Sequence, residues 1–109
     1  MAGKIVYLSD IDYGTKLPRG KLSKQGNLVQ IACAKTPLGL LEMYRYQSFV
    51  IVTLDGKVVG KEMTVDLAIE SAYVYLKKRY DRDMVWRSLK LLSYAVTDHS
   101  CIDYKTFNL

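Results

Sequence analysis

Proline and cysteine each occur only twice in this 109-residue chain, and histidine and tryptophan once. No acidic residue lies between Tyr13 and Lys35. Each scarcity excludes something. No run reaches the roughly 18 consecutive apolar residues of a membrane-spanning helix. The start, MAGKIVYLSD, meets Ser and Asp too early for a secretory leader, so the expected location is the cytosol. Cys33 and Cys101 lie far apart without C-x-x-C spacing. They are expected to be free thiols, Cys33 buried as a small apolar side chain and Cys101 near the terminus.

Groups for catalysis are equally few. His99 stands in TDHSCID beside Asp98, Cys101 and Asp103. A Cys-His nucleophile needs a third group to orient the base, and residues two apart in a loop rarely give that geometry. The segment reads as a polar turn that ends a helix. Asp10 and Asp12 would share one face of a strand and could hold a magnesium ion, yet no third and fourth acidic ligand gathers near them. They read as a strand-end Asx turn. GTKLPRGK lacks the G-x-x-x-x-G-K-[ST] spacing of a phosphate-binding loop. The expectation is therefore a protein that is not an enzyme and takes no cofactor and no metal. A small hydrolase or nuclease around Asp10, Asp12 and His99 is the remote alternative.

What the chain does have is half its residues apolar, a quarter charged and a net charge of +5. That composition suits one globular domain spanning 1–109 with a single core. The positive charge is placed unevenly. Five basic residues, Lys16, Arg19, Lys21, Lys24 and Lys35, fall in the acid-free segment. A second concentration, Lys77, Lys78, Arg79, Arg82, Arg87 and Lys90, outnumbers Asp81 and Asp83. Such asymmetry favours nucleic acid, an acidic protein surface or an anionic membrane as partner.

The hydrophobic pattern predicts strands first and helices last. Strands are expected at Lys4–Asp10, Leu28–Lys35 and Leu40–Gln47, with Gly14, Pro18, Gly20 and Gly26 making the basic segment a loop. Asp55-Gly56 lies between β-branched runs and suits a two-residue type I′ turn, which would set Leu54 against Lys57, Thr53 against Val58, Val52 against Val59 and Ile51 against Gly60. From Thr64 the apolar residues recur at three and four, predicting a Thr-capped helix to about Tyr80. A second helix follows with Asp83 as its cap and a stripe of Val85, Leu89, Leu92 and Val96. The tail is expected to add an edge strand or to pack Phe107 on the body. The fold class is α+β: a mostly antiparallel sheet of four or five strands with two helices on one face. Residues 49–54 are apolar on both faces, so the second face needs the N-terminal segment or another chain, which hints at a homodimer.

From Tyr44 to Tyr80 the order of strands, Asp-Gly hairpin and the helix MTVDLAIESAYVYLKK resembles the three-stranded-sheet-plus-helix DNA-binding domains of ethylene-response factors and integrase arm-binding domains. Thr64, Ala68, Ala72 and Tyr73 match the family's capped helix packed on its sheet. The resemblance implies that the outer sheet face enters a major groove, with Arg45, Gln47, Lys57 and Lys61 as contacts.

Two functions follow. One is a small non-catalytic inhibitor or adaptor of the kind phages and plasmids carry, docking its basic, tyrosine-rich surface onto a nucleic-acid-handling complex such as a host defence nuclease. The alternative is direct nucleic-acid binding through the basic loop and sheet face. Either would use Lys16, Arg19, Lys21, Lys24, Arg45, Gln47, Lys57, Lys61, Lys77, Lys78, Arg79 and Arg82, since phosphate contact is largely a matter of charge and Tyr and Arg are enriched in binding hot spots.

Overall fold

A computed structural model describes residues 7–106 of the chain. Five strands, β1 (Leu28–Thr36), β2 (Gly39–Tyr46), β3 (Phe49–Leu54), β4 (Lys57–Glu62) and β5 (Cys101–Asp103), form one sheet in the order β4-β3-β2-β1-β5. All neighbours are antiparallel except β1 and β5, which run parallel. Helices α1 (Arg19–Gln25), α2 (Val65–Leu76) and α3 (Arg82–Asp98) complete an α+β fold.

The β3–β4 turn forms as the sequence requires, with φ of 51° at Asp55 and 86° at Gly56. Leu54 pairs with Lys57 and Thr53 with Val58 as expected, but Val52 then pairs with Gly60 and Ile51 with Lys61. Val59 is the extra residue of a β-bulge. The reason lies in α2: a Cβ built on Gly60 would stand 2.7 Å from the Ala68 carbonyl oxygen and 3.1 Å from the Ala72 nitrogen. The helix rests on bare strand backbone there, and the bulge turns Gly60 toward it.

Helices α2 and α3 start on side-chain caps. Thr64 Oγ1 accepts from the Leu67 amide at 3.2 Å, and an Asp81 carboxylate oxygen accepts from the Met84 amide at 3.1 Å. Asp81, rather than the expected Asp83, is the cap, so α3 begins at Arg82. It ends at His99 in the left-handed conformation, φ 52°, with the Ser100 amide returning to the Ala95 carbonyl at 3.2 Å. This is the polar helix-ending turn read from TDHSCID. Ala68, Ala72 and Leu76 of α2 and Val85, Leu89, Leu92 and Ala95 of α3 bury against Ala32, Leu41, Met43, Val50 and Val52 on one sheet face.

The other sheet face carries a second core. Ile11, Leu17 and Leu22 of the N-terminal segment bury there with Tyr44, Tyr46, Ile51 and Val58. The segment thus supplies the cover that residues 49–54 demand, and no second chain is needed for it. Two expectations are corrected in consequence. Residues 13–27 are not one loop, because burying Leu17 and Leu22 fixes the backbone into α1 despite Gly20. Of the strand expected at 4–10, residues 4–6 lie outside the described residues, and Leu8–Asp10 form a 3-10 turn in which the Asp10 carboxylate accepts from the Tyr7 amide at 3.0 Å. Phe107 also lies outside the described residues.

The cysteines are the third correction. Cys33 and Cys101 form a disulfide, their Cα atoms 4.5 Å apart. The parallel return of β5 beside β1 pairs the two residues in register, within the range a disulfide spans. Backbone bonds flank the bridge, from Cys33 to the Ser100 carbonyl at 3.4 Å and from Tyr104 to the Lys35 carbonyl at 3.0 Å.

Candidate functional site

One residue of each basic concentration lies by the β3–β4 turn: Lys16 is bridged to Lys57, and Arg79 borders a cleft that Lys57 also lines. Residues 14–17 run alongside this hairpin: the Gly14 amide donates to the Val58 carbonyl at 2.7 Å, the Val58 amide to Thr15 at 2.8 Å and the Leu17 amide to Gly56 at 2.9 Å. Lys16 is thereby set opposite Lys57. Like charges in that relation repel, and both side chains are exposed. Beyond Lys57 a cleft of about 270 Å³ is lined by Gly14, Asp55, Tyr75, Arg79 and Tyr80.

Aromatic rings form the cleft's inner wall. The Arg79 guanidinium stacks 3.8 Å from the Tyr75 ring centroid and donates to the Tyr75 carbonyl at 2.9 Å. Tyr13 lies against the same ring, centroids 5.3 Å apart. Gly14, with φ 83°, lets the chain pass the Tyr75 hydroxyl, which would stand 2.8 Å from a Cβ built there. Cations beside ring faces form a surface suited to phosphates and to stacked bases.

On the other side of the turn a cleft of about 410 Å³ is lined by Lys16, Arg19, Glu42, Tyr44 and Thr53. Arg19 Nη1 donates to Tyr44 Oη at 2.9 Å, Tyr44 Oη donates to Glu42 Oε2 at 2.8 Å, and Gln30 Nε2 donates to the same oxygen at 3.2 Å. Burial first, then donation to Glu42, pushes the Tyr44 phenol above its ordinary value. The bond to Tyr44, with Coulombic help from Tyr44 and Glu42, raises the Arg19 guanidinium further. Arg19, in the segment without acids, thus has its counter-charge in β2.

The remaining candidates are dispersed. Lys61 Nζ donates to the carbonyls of Leu8, at 3.0 Å, and Ile11, and the Lys61 amide donates to Tyr13 Oη at 3.2 Å. Its charge holds the N-terminal segment in place. Arg45 and Gln47 are exposed at the opposite end of β2, where Gln47 takes φ 56° in the turn. Arg45 pairs with Val50, whose side chain belongs to the helix-covered face, whereas Lys61 pairs with Ile51 of the other face. Arg45, Gln47, Lys57 and Lys61 therefore do not form one surface, and the outer sheet face they were assigned to lies beneath residues 11–25. Lys21 and Lys24 stand exposed on α1, and Arg82 is exposed at the start of α3. Lys77 lies over the Tyr73 ring at 5.3 Å. Lys78 lines a groove on the flank of α2 that shares Tyr75 and Arg79 with the Lys57 cleft.

Sequence reasoning passed over Tyr13, Tyr75 and Tyr80. The signal for one of them was present, since Tyr75 and Arg79 stand four apart on a helix and so share a face. No group of three His, Cys, Asp or Glu side chains among the described residues is arranged to hold a metal ion. Comparison with family models, with curated proteins and with solved structures gave no match.

Proposed function

We propose that the protein is a small non-catalytic binding protein that contacts nucleic acid directly, through Lys16, Lys57 and Arg79 with the exposed rings of Tyr13 and Tyr80. The observation that carries this reading is the placing of Lys16 opposite Lys57 beside the Arg79–Tyr75 stack. The repulsion between two lysines on bridged backbone is relieved by a nearby anion, and a polyphosphate backbone supplies anions at regular spacing. The neighbouring rings suit unstacked bases, which favours single strands over duplex. The test is equilibrium binding of a labelled single-stranded oligonucleotide to the wild type and to a Lys16→Glu, Lys57→Glu, Arg79→Glu variant. Loss of binding in this variant, with binding kept in Lys21→Glu, Lys24→Glu, supports the site. The reverse pattern moves it to α1.

A second reading is docking as an inhibitor or adaptor onto an acidic face of a nucleic-acid-handling protein. Trp86 favours it: the indole is 57% exposed and edge-on to Tyr73, centroids 6.2 Å apart, with Lys77 over the same Tyr73 ring. Exposed Trp beside Tyr is the composition of a protein-binding hot spot. A partner retained after nuclease treatment and lost in Trp86→Ala distinguishes this reading from the first.

A further inference from the structure

The Cys33–Cys101 bridge stands at an edge of the sheet, where β5 is the outermost strand. β5 spans three residues and pairs with β1 at Cys33, Ala34 and Lys35. Of its side chains only Ile102 is buried, as part of the main core. An edge strand this short, with one side chain in the core, has little of its own to hold it in place. The bridge therefore supplies a large share of its fastening. Access to the two sulfurs is unequal. Cys101 is exposed and borders a groove of about 260 Å³ with Gln30, Ile31, Ala32, His99 and Ser100, whereas Cys33 is buried. Thiol–disulfide exchange requires a thiolate to reach one of the sulfurs, and Cys101 is the side open to it.

We propose that the bridge is a reversible redox clamp: a low-molecular-weight thiol such as glutathione opens it, and β5 then leaves β1 while strands β1–β4 stay paired. The thiolate attacks Cys101 Sγ, the S–S bond breaks, and Cys33 leaves as a thiolate that takes up a proton. A second thiolate attacks the glutathione sulfur of the mixed disulfide, which releases the Cys101 thiol and one molecule of oxidised glutathione. Two electrons have then passed from the thiol pair to the bridge. The Ser100 amide, bonded back to the Ala95 carbonyl at the end of α3, keeps Cys101 near its partner. Oxidised glutathione therefore closes the bridge again by the same steps in reverse. Opening bares the β1 edge at residues 33–35, a row of backbone groups available to another strand.

The test is amide hydrogen exchange, read by mass spectrometry on the full chain, oxidised and after equilibration with reduced glutathione. Residues 100–104 are expected to exchange about tenfold faster or more in the reduced form, with β2 and β3 unchanged. The pair Cys33→Ala, Cys101→Ala shows the fast pattern under both conditions. Thiol counting in graded mixtures of reduced and oxidised glutathione reads the reversibility, and adding oxidised glutathione restores both the bridge and the slow exchange. A bridge that stays closed in reduced glutathione, exchange at residues 100–104 that reduction leaves unchanged, or protection lost throughout the chain overturns the proposal.

Discussion

Arg19 Nη1 donates to Tyr44 Oη at 2.9 Å, which ties the helix over the outer sheet face to the strand beneath it. Tyr44 passes the interaction on to Glu42. Tyr44→Phe removes both bonds at once and is expected to lower stability by about 1 kcal/mol, read by urea unfolding. Arg19→Ala in the Tyr44→Phe background then costs less than in the wild type, because the partner is already gone.

The same tyrosine sets an alkaline limit. Its folded pKa lies above the ordinary phenol value of about 10, through burial and then the bond to Glu42. For an acid shifted upward, the protonated form is the one the fold favours. Its contribution is fully present below the unfolded pKa and is lost as pH rises through the folded one. The stability difference between wild type and Tyr44→Phe should therefore shrink above about pH 10, and a difference constant across that window would refute the assignment.

Gly60 is where α2 touches the sheet. Gly60→Ala drives a methyl into helix backbone, which cannot move aside as a flexible side chain would. A loss of about 1–3 kcal/mol is expected by thermal or urea unfolding. An unchanged midpoint would show that α2 does not bear on the strand.

The Cys33–Cys101 bridge closes a separation of 68 residues and fastens β5 to β1. Its reduction, or the pair Cys33→Ala, Cys101→Ala, should cost about 2–4 kcal/mol. Thiol titration of the unfolded chain before and after reductant is the direct check, and two free thiols before reduction would contradict the bridge.

Lys61 holds the N-terminal segment by its backbone carbonyls. Lys61→Met keeps the aliphatic stem and deletes those charged bonds, so residues 7–13 should exchange amide hydrogens faster while the strands stay protected. A local opening cheaper by about 1–2 kcal/mol is the expected size.

Elements specified by local chemistry were legible in the sequence: Asp55-Gly56 in its turn, Thr64 at its helix cap, the three-four periodicity of α2 and α3. What escaped was set by contacts distant along the chain. Val59 became a bulge because Gly60 must meet α2, and Leu17 and Leu22 made a helix out of a glycine-punctuated segment because they had a sheet face to cover. Nothing near Cys101 announced that its strand would return parallel to β1. In the candidate site the charges were visible and their grouping was not: Lys16 and Lys57 became neighbours only through pairing of residues 14–17 with the hairpin, Arg19 found Glu42, and Lys61 turned inward.

The most direct measurement of the central claim is the salt dependence of wild-type binding to a labelled single strand, by fluorescence anisotropy. Three cations on the phosphate backbone predict an affinity that falls with a slope of about −2 in log K against log salt, at roughly 0.7 per contact. No binding even at the lowest salt, or binding insensitive to salt, would contradict it.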